Sequence, residues 1–349
     1  MLELLKTLCM LDGVSGFEDQ VRQFIREQAR PYADSIREDA MGNLIVYKRG
    51  AKATGNKLLL AAHMDEVGLL ITEVTDEGYL RFRFVGGVDR RVAIGKPVLI
   101  GPEHIPGVIG MKAVHLVKAG ERGSVPKTEE LYIDIGAASA QEAGEKAPPG
   151  SYAVFAGECV EFGQGFLKAK AIDDRVGCAV LLSLLKEPLP LDCTFAFTVQ
   201  EEVGTRGAFG TAFSVTPEIA LVLEGTTAAD CAGVPAHKKV CAPGKGPVIP
   251  FMDGGTIYDT GLYGLLTGLC RDNGIPWQTK EYISGGTDAR TFQRSKAGVR
   301  AAGISAAVRY LHSPSSVAAV GDLEEMLRLT RLFLSAVAEE TQEVRHGAV

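Results

Sequence analysis

The chain has 349 residues, 46% of them hydrophobic, and carries 43 acidic against 37 basic side chains for a formal charge of −6. A chain this long and apolar can bury a large core, or a core and a second module. The acidic balance argues against nucleic acid or an anionic membrane as partner, since both call for a basic stripe.

No apolar run reaches the roughly 18 residues of a membrane span, and the N-terminus has no basic region followed by a long apolar core. The seven cysteines are odd in number and scattered without a C-x-x-C pair. That pattern predicts reduced thiols in a cytoplasmic protein, not a disulfide framework or a zinc ribbon.

In chain order, Leu2, Leu5, Leu8 and Cys9 stand at helical spacing, and Asp12-Gly13 closes that helix. Ser15-Gly16-Phe17-Glu18 reads as a capping box for a second helix with Val21, Phe24 and Ile25 on one face. Apolar runs at 43–47 and 58–62 predict strands, the second fully buried and ending at His63-Met64-Asp65-Glu66-Val67-Gly68. From 69 to 165 short strand-like runs at 79–85, 98–100, 108–109 and 131–135 alternate with Gly, Pro and acidic turns. This texture predicts an all-β insertion in an α/β domain formed by 1–68 and 166–349, with a mobile polar loop at 120–130.

Helix and strand then alternate again. A buried helix is expected at 176–185, strands at 194–200, 219–223 (ending at Glu224), 277–283 and 306–310, a helix at 258–271, and a last helix capped by Asp322. The run at 194–200 stops at two adjacent carboxylates, Glu201 and Glu202, followed by Gly204 and Gly207. On a continuing strand those carboxylates would face opposite ways, so both serve one site only if the backbone turns there. Lys245 in Pro243-Gly244-Lys245-Gly246-Pro247 lacks the spacing of a phosphate loop and is read as an ordinary loop.

Five places end a buried segment in side chains able to bind metal: His63 with Asp65, Asp173-Asp174, Glu201-Glu202, Glu224 and His312. Two histidines with several carboxylates suit zinc, cobalt or manganese better than calcium or magnesium. Two ions need a bridging carboxylate, ligands for each, and a free carboxylate for the water between them. His63, Asp173, Glu201, Glu202, Glu224 and His312 fill those roles. In the H-x-D spacing, Asp65 is expected to accept from the ring nitrogen of His63 that faces away from the metal. Gly285-Gly286-Thr287-Asp288 reads both as a cleft-lining loop and as a tight turn capping a helix at Ala289.

These segments resemble the tetrahedral (TET) and glutamyl aminopeptidase family of dinuclear metallopeptidases. The similarity is carried by Gly13-Val14-Ser15-Gly16-Phe17-Glu18, Ala62-His63-Met64-Asp65-Glu66-Val67-Gly68, Ala171-Ile172-Asp173-Asp174-Arg175, Gln200-Glu201-Glu202-Val203-Gly204, Ser284-Gly285-Gly286-Thr287-Asp288-Ala289 and Arg309-Tyr310-Leu311-His312-Ser313-Pro314, in that order. The resemblance implies a mixed sheet sandwiched by helices with an inserted barrel-like, PDZ-like dimerisation domain. It implies two divalent ions, zinc or cobalt with manganese also admissible. Asp173 would bridge them, His63 and Glu224 complete one, and Glu202 and His312 the other. Glu201 would be the general base, Asp65 the orienter of His63, and Gly286, Thr287 and Asp288 substrate contacts. It further implies a cis peptide at Asp173-Asp174, short peptide substrates, and dimers assembling into a hollow dodecamer. Glu224 stands where many members have Asp, one methylene shorter.

Two other readings compete. Adjacent carboxylates also suggest a glycoside hydrolase, but those enzymes hold the pair about 5 to 9.5 Å apart across a sugar, which neighbours in sequence do poorly. The β insertion alone would also suit a non-catalytic assembly protein.

Overall fold

A computed structural model of the chain describes residues 1–54, 57–118, 120 and 123–346, the last seven of these as backbone only. The strands are β1 (Ser35–Glu38), β2 (Leu44–Lys48), β3 (Leu58–His63), β4 (Gly68–Val74), β5 (Leu80–Val85), β6 (Pro97–Ile100), β7 (Ile105–Met111), β8 (Leu131–Asp134), β9 (Tyr152–Phe155), β10 (Val160–Phe162), β11 (Phe166–Ala169), β12 (Cys193–Thr198), β13 (Ile219–Thr227), β14 (Arg300–Arg309) and β15 (Ser316–Ala319). The helices are α1 (Leu2–Met10), α2 (Asp19–Ala29), α3 (Arg90–Ala93), α4 (Ala140–Lys146), α5 (Ile172–Leu185), α6 (Arg206–Val215), α7 (Thr260–Asp272), α8 (Ala289–Gln293) and α9 (Val320–His346).

Nine strands form one mixed sheet in the order β1-β2-β12-β3-β13-β14-β15-β11-β10. Its centre is parallel: β12 pairs with β3, β3 with β13, and β13 with β14. Every residue of β3 and β12 is buried, as expected for strands covered on both faces, and α5 packs its apolar length against β3 and β13. Parallel strands point their C-terminal ends to one edge of a sheet, and that edge is where open α/β sheets place ligands. His63, Glu201-Glu202 and His312 fall at or just beyond such ends, and Glu224 stands three residues before the end of β13.

The six strands β4 to β9 close into a barrel in the order β4-β5-β8-β7-β6-β9, with its own core around Leu69, Phe82, Ile109 and Ile133. Closure leaves no unpaired edge strand. β10 pairs with β11 at the margin of the large sheet. Within the loop expected at 120–130, residues 121 and 122 lie outside the described residues, and Thr128–Glu130 forms a short 3-10 turn.

Four local expectations fail, three because tertiary contacts claim a side chain and one because strand pairing continues. Ser15 and Glu18 do not form a capping box: the Ser15 hydroxyl donates to Asp65 at 2.6 Å, and Glu18 accepts from the backbone of Gly16 and Gln200. Asp322 does not cap α9, which begins two residues earlier; its carboxylate holds the Gly244–Gly246 loop through the backbone N–H groups at 2.6 and 2.7 Å. Residues 277–283 make only an isolated bridge at Gln278, whose amide is taken by Ala242 and Gly246. β13 runs on past Glu224 to Thr227, because β14 continues to pair with it.

Candidate metal centre

His63 is the last residue of β3, and its side chain is 1% exposed. Its Nδ1–H donates to the backbone oxygen of Asp65 at 3.1 Å, with the Asp65 carboxylate at 3.4 Å. The expected orienting contact is therefore made chiefly by the main chain of Asp65. Its carboxylate has a second task, accepting from the backbone N–H groups of Glu201 at 2.9 Å and Glu202 at 3.1 Å. Asp65 thus ties the end of β3 to the turn that carries both glutamates.

That turn reverses earlier than the glycines suggest. Gln200, Gly204 and Thr205 all have positive φ, at 55°, 117° and 54°, so the chain bends immediately before Glu201 as well as after Glu202. Asn43 secures the bend, accepting from Val199 and donating to the carbonyl of Gly207.

At the start of α5, Ala171 is left-handed, Asp173 and Asp174 within its first turn are non-helical, and the peptide between them is cis. The two aspartates are sorted by their partners. Asp174 is wholly buried and accepts one backbone amide on each oxygen, from His63 and Gly177. Asp173 accepts from the backbone of Gly225 at 3.1 Å and faces the centre. A side chain at 225 would stand 2.8 Å from the Asp173 Cβ, so the residue after Glu224 has to be glycine.

His312 lies beyond β14 in a left-handed turn with φ 56°. Its Nδ1–H donates to the carbonyl of Gly87, in the segment after β5. Both rings therefore spend Nδ1–H on a backbone oxygen and aim Nε2 at one carboxylate. His63 Nε2 is 3.5 Å from Asp173 Oδ1 and 3.6 Å from Glu224 Oε2. His312 Nε2 is 3.6 Å from Asp173 Oδ2 and 3.2 Å from Glu202 Oε2.

Ligand atoms around a tetrahedral ion with bonds of about 2.0–2.1 Å stand about 3.3 Å apart. The four separations cluster around that value, and Asp173 offers a different oxygen to each ring. Burial pushes the Glu224 and Glu201 carboxyls well above the usual range and Glu202 up to about 7, whereas Asp173, between two imidazoles, is held low despite its burial. Glu224 Oε1 is buried without a hydrogen-bond partner among the described residues. Crowded, desolvated carboxylates with an orphaned oxygen fit a divalent cation, which satisfies them all at once.

The centre opens into a cavity of about 710 Å³ bordered by Glu201, Glu202 and Glu224 and by Ser284, Gly286 and Thr287. It is also lined by the connection between β5 and β6 of the barrel, through Gly87, Asp89, Arg91, Val92, Ile94 and Lys96. Of the predicted substrate loop, Gly286 and Thr287 reach this cavity, while Asp288 is buried beneath it and accepts from Thr198 Oγ1 at 2.6 Å.

Several supporting residues escaped the sequence reading. Glu66 is buried with Lys170 Nζ at 2.5 Å and Arg175 Nη2 at 3.4 Å, and Arg175 also reaches the carbonyl of Leu8, fastening α1 beneath the centre. Gly87 could not be found from sequence, because what it supplies is a carbonyl that any residue has.

Comparison with known proteins assigns the chain to a family. The model of the M42 glutamyl aminopeptidase family matches residues 42–329. A putative aminopeptidase of Acetivibrio thermocellus is 38% identical over 94% of this chain and 97% of its own. The TET aminopeptidase of a marine sediment Thaumarchaeota archaeon superposes with a TM-score of 0.93 at 32% identity, covering 98% of each chain. Pyrococcus horikoshii TET1 peptidase, described as able to assemble into a tetrahedron or a large octahedral shell, gives 0.85 at 35% identity over 95% of this chain and 98% of its own. With the family match spanning most of its length and relatives above 30% identity along nearly all of it, the chain belongs to the M42 glutamyl aminopeptidase family.

Proposed function

We infer that the protein is a metal-dependent aminopeptidase that removes N-terminal residues from short peptides. The observation that carries this is Asp173, whose two oxygens each face the Nε2 of a different histidine. We assign His63 and Glu224 to one divalent ion, Glu202 and His312 to a second, and Asp173 to both, with zinc or cobalt as the metal and manganese a third candidate. Ions held there would supply Lewis acidity and a bound water acidic near neutral pH.

Glu201 borders the cavity beside these ligands, and its backbone is fixed by Asp65. Its carboxylate is the base that takes a proton from the attacking water and passes it to the leaving amine. Asp65 sets the His63 ring and the glutamate turn together. Gly286 and Thr287 contact the substrate on the cavity wall, and Asp288 supports their loop from below. The glycoside-hydrolase reading has no use for the two convergent imidazoles, and the family match displaces it.

Replacing Glu201 with Gln should lower turnover of aminoacyl-nitroanilides by about 10³-fold, within the range for a general base, while metal content stays at the wild-type level. Retention of most of the activity removes Glu201 from the mechanism.

We further propose that residues 69–165, with the barrel at their heart, are a PDZ-like dimerisation module, and that dimers build a tetrahedral dodecamer with access for small peptides only. Exposed Val114, Leu116 and Val125 after β7, and Phe209 and Phe213 on α6, supply apolar surface of the kind that association covers. Light scattering at micromolar concentration tests it, and a monomer sinks it. All seven cysteines are free and five are buried, which supports a cytoplasmic setting.

A further inference from the structure

The backbone N–H groups of Gln200, Glu201 and Glu202 follow one another along the chain, and each meets a carboxylate oxygen. Asp65 takes the second and third at 2.9 and 3.1 Å, and Glu18 Oε1 takes the first at 3.2 Å. Asp65 reaches the turn from the end of β3, whereas Glu18 reaches it from the connection between α1 and α2. Gln200 is the residue most in need of a hold. Its φ of 55° lies in the left-handed region, which residues other than glycine adopt reluctantly, and the peptide that follows it delivers Glu201 to the cavity.

Glu18 stands immediately before α2, yet its side chain gives that helix no cap hydrogen bond. It is 3% exposed, and the oxygen that takes Gln200 also takes the N–H of Gly16 at 2.8 Å. Burial pushes its carboxyl up to about 7 against the pull of those two amides. Burying an acid in this way is costly, and acids so displaced collect at functional sites.

The connection that carries Glu18 is fixed at several points. The N–H of Ser15 donates to the Glu66 carbonyl at 3.2 Å, that of Glu66 to Gly13 at 2.9 Å, and that of Phe17 to Val14 at 2.7 Å. The Phe17 ring centroid lies 5.1 Å from that of Tyr152 on the barrel, whose hydroxyl donates to Asp12 at 3.1 Å. Glu18 therefore offers its oxygen from a support that neither the glutamate turn nor the assigned metal ligands supply.

We propose that Glu18 is a positioning residue for the general base, setting through the main chain of Gln200 the direction in which Glu201 enters the cavity. This rests on the assignment of Glu201 made above. Glu18 does not line the cavity, so it acts through the backbone alone. Glu202 is left in place, because Asp65 holds its amide separately.

The test uses metal-loaded protein and whichever aminoacyl-nitroanilide the wild type cleaves fastest. Glu18→Ala should lower kcat by about 10- to 100-fold, the scale of a small misplacement of a reacting group. KM and metal content should stay at the wild-type level. Glu18→Asp keeps the charge but is one methylene short of Gln200; it should keep the thermal midpoint and still lose kcat. Glu18→Gln retains an oxygen for both amides and should recover most of the turnover. In a Glu201→Gln background the Ala change should cost little more, since no base remains to be misplaced.

A wild-type kcat in Glu18→Ala and Glu18→Asp overturns the proposal. So does loss of metal from either variant, which would make Glu18 a support of the ligands, and so does an equal cost with and without Glu201. In each of those results Glu201→Gln is still inactive and the reading of the base stands. Full activity in Glu201→Gln removes the base itself, and the task given to Glu18 goes with it.

Discussion

The two imidazoles face one carboxylate from opposite sides, yet they are held by different kinds of structure. His63 ends a strand whose every residue is buried, and its ring is 1% exposed. His312 stands in a left-handed turn past the end of β14, is 30% exposed, and leans on the Gly87 carbonyl in the segment after β5. The first half of the centre is completed when the sheet folds. The second is completed only when the sheet edge and the barrel segment meet, so it can adjust or loosen without disturbing the core.

The largest expected effect tests this asymmetry through stability. In EDTA-treated protein, His63→Ala removes the imidazole shared by the buried carboxylates of Asp65, Asp173 and Glu224 and leaves Asp173 facing His312 alone. Removing one partner from a buried charge cluster costs about 3–5 kcal/mol. His312→Ala, at a third-exposed position, should cost less than about 1 kcal/mol. Both variants should lose most of their activity, so activity does not separate them. Denaturant unfolding does, and equal losses of stability would show that the two halves are supported alike.

Legibility in the sequence follows the same division. The strand end at 63 was readable because a parallel, two-sided strand is a continuous apolar run and its polar terminus stands out against it. The roles of Glu201 and Glu202 needed a turn, and the sequence pointed to Gly204; the structure adds Gln200, whose left-handed φ no residue type advertises. Ser15 and Glu18 matched a capping box by spacing alone, because a local signal cannot reveal that Asp65, fifty residues on, claims the hydroxyl. Gly87 was invisible because it acts through its main chain.

The smallest expected effect probes the seam between the two regions. A Cβ at position 87 would stand 3.4 Å from His312 Nδ1 and 3.8 Å from its Cε1, close enough to crowd the ring but not to expel it. Gly87→Ala keeps the accepting carbonyl and should tilt the imidazole slightly. The cost should fall at or below the lower end of the 10- to 100-fold seen when a ligand's supporting partner is changed, less than about tenfold in metal affinity. It should also be confined to one ion, because His63 is oriented by Asp65 and has no contact with residue 87 among the described residues. Competition with a chromophoric chelator resolves two ions of unequal affinity. In Gly87→Ala the weaker step should move and the tighter one stay. If both steps move together, the barrel segment supports the whole centre, and the division between a core-built half and an interface-built half is lost.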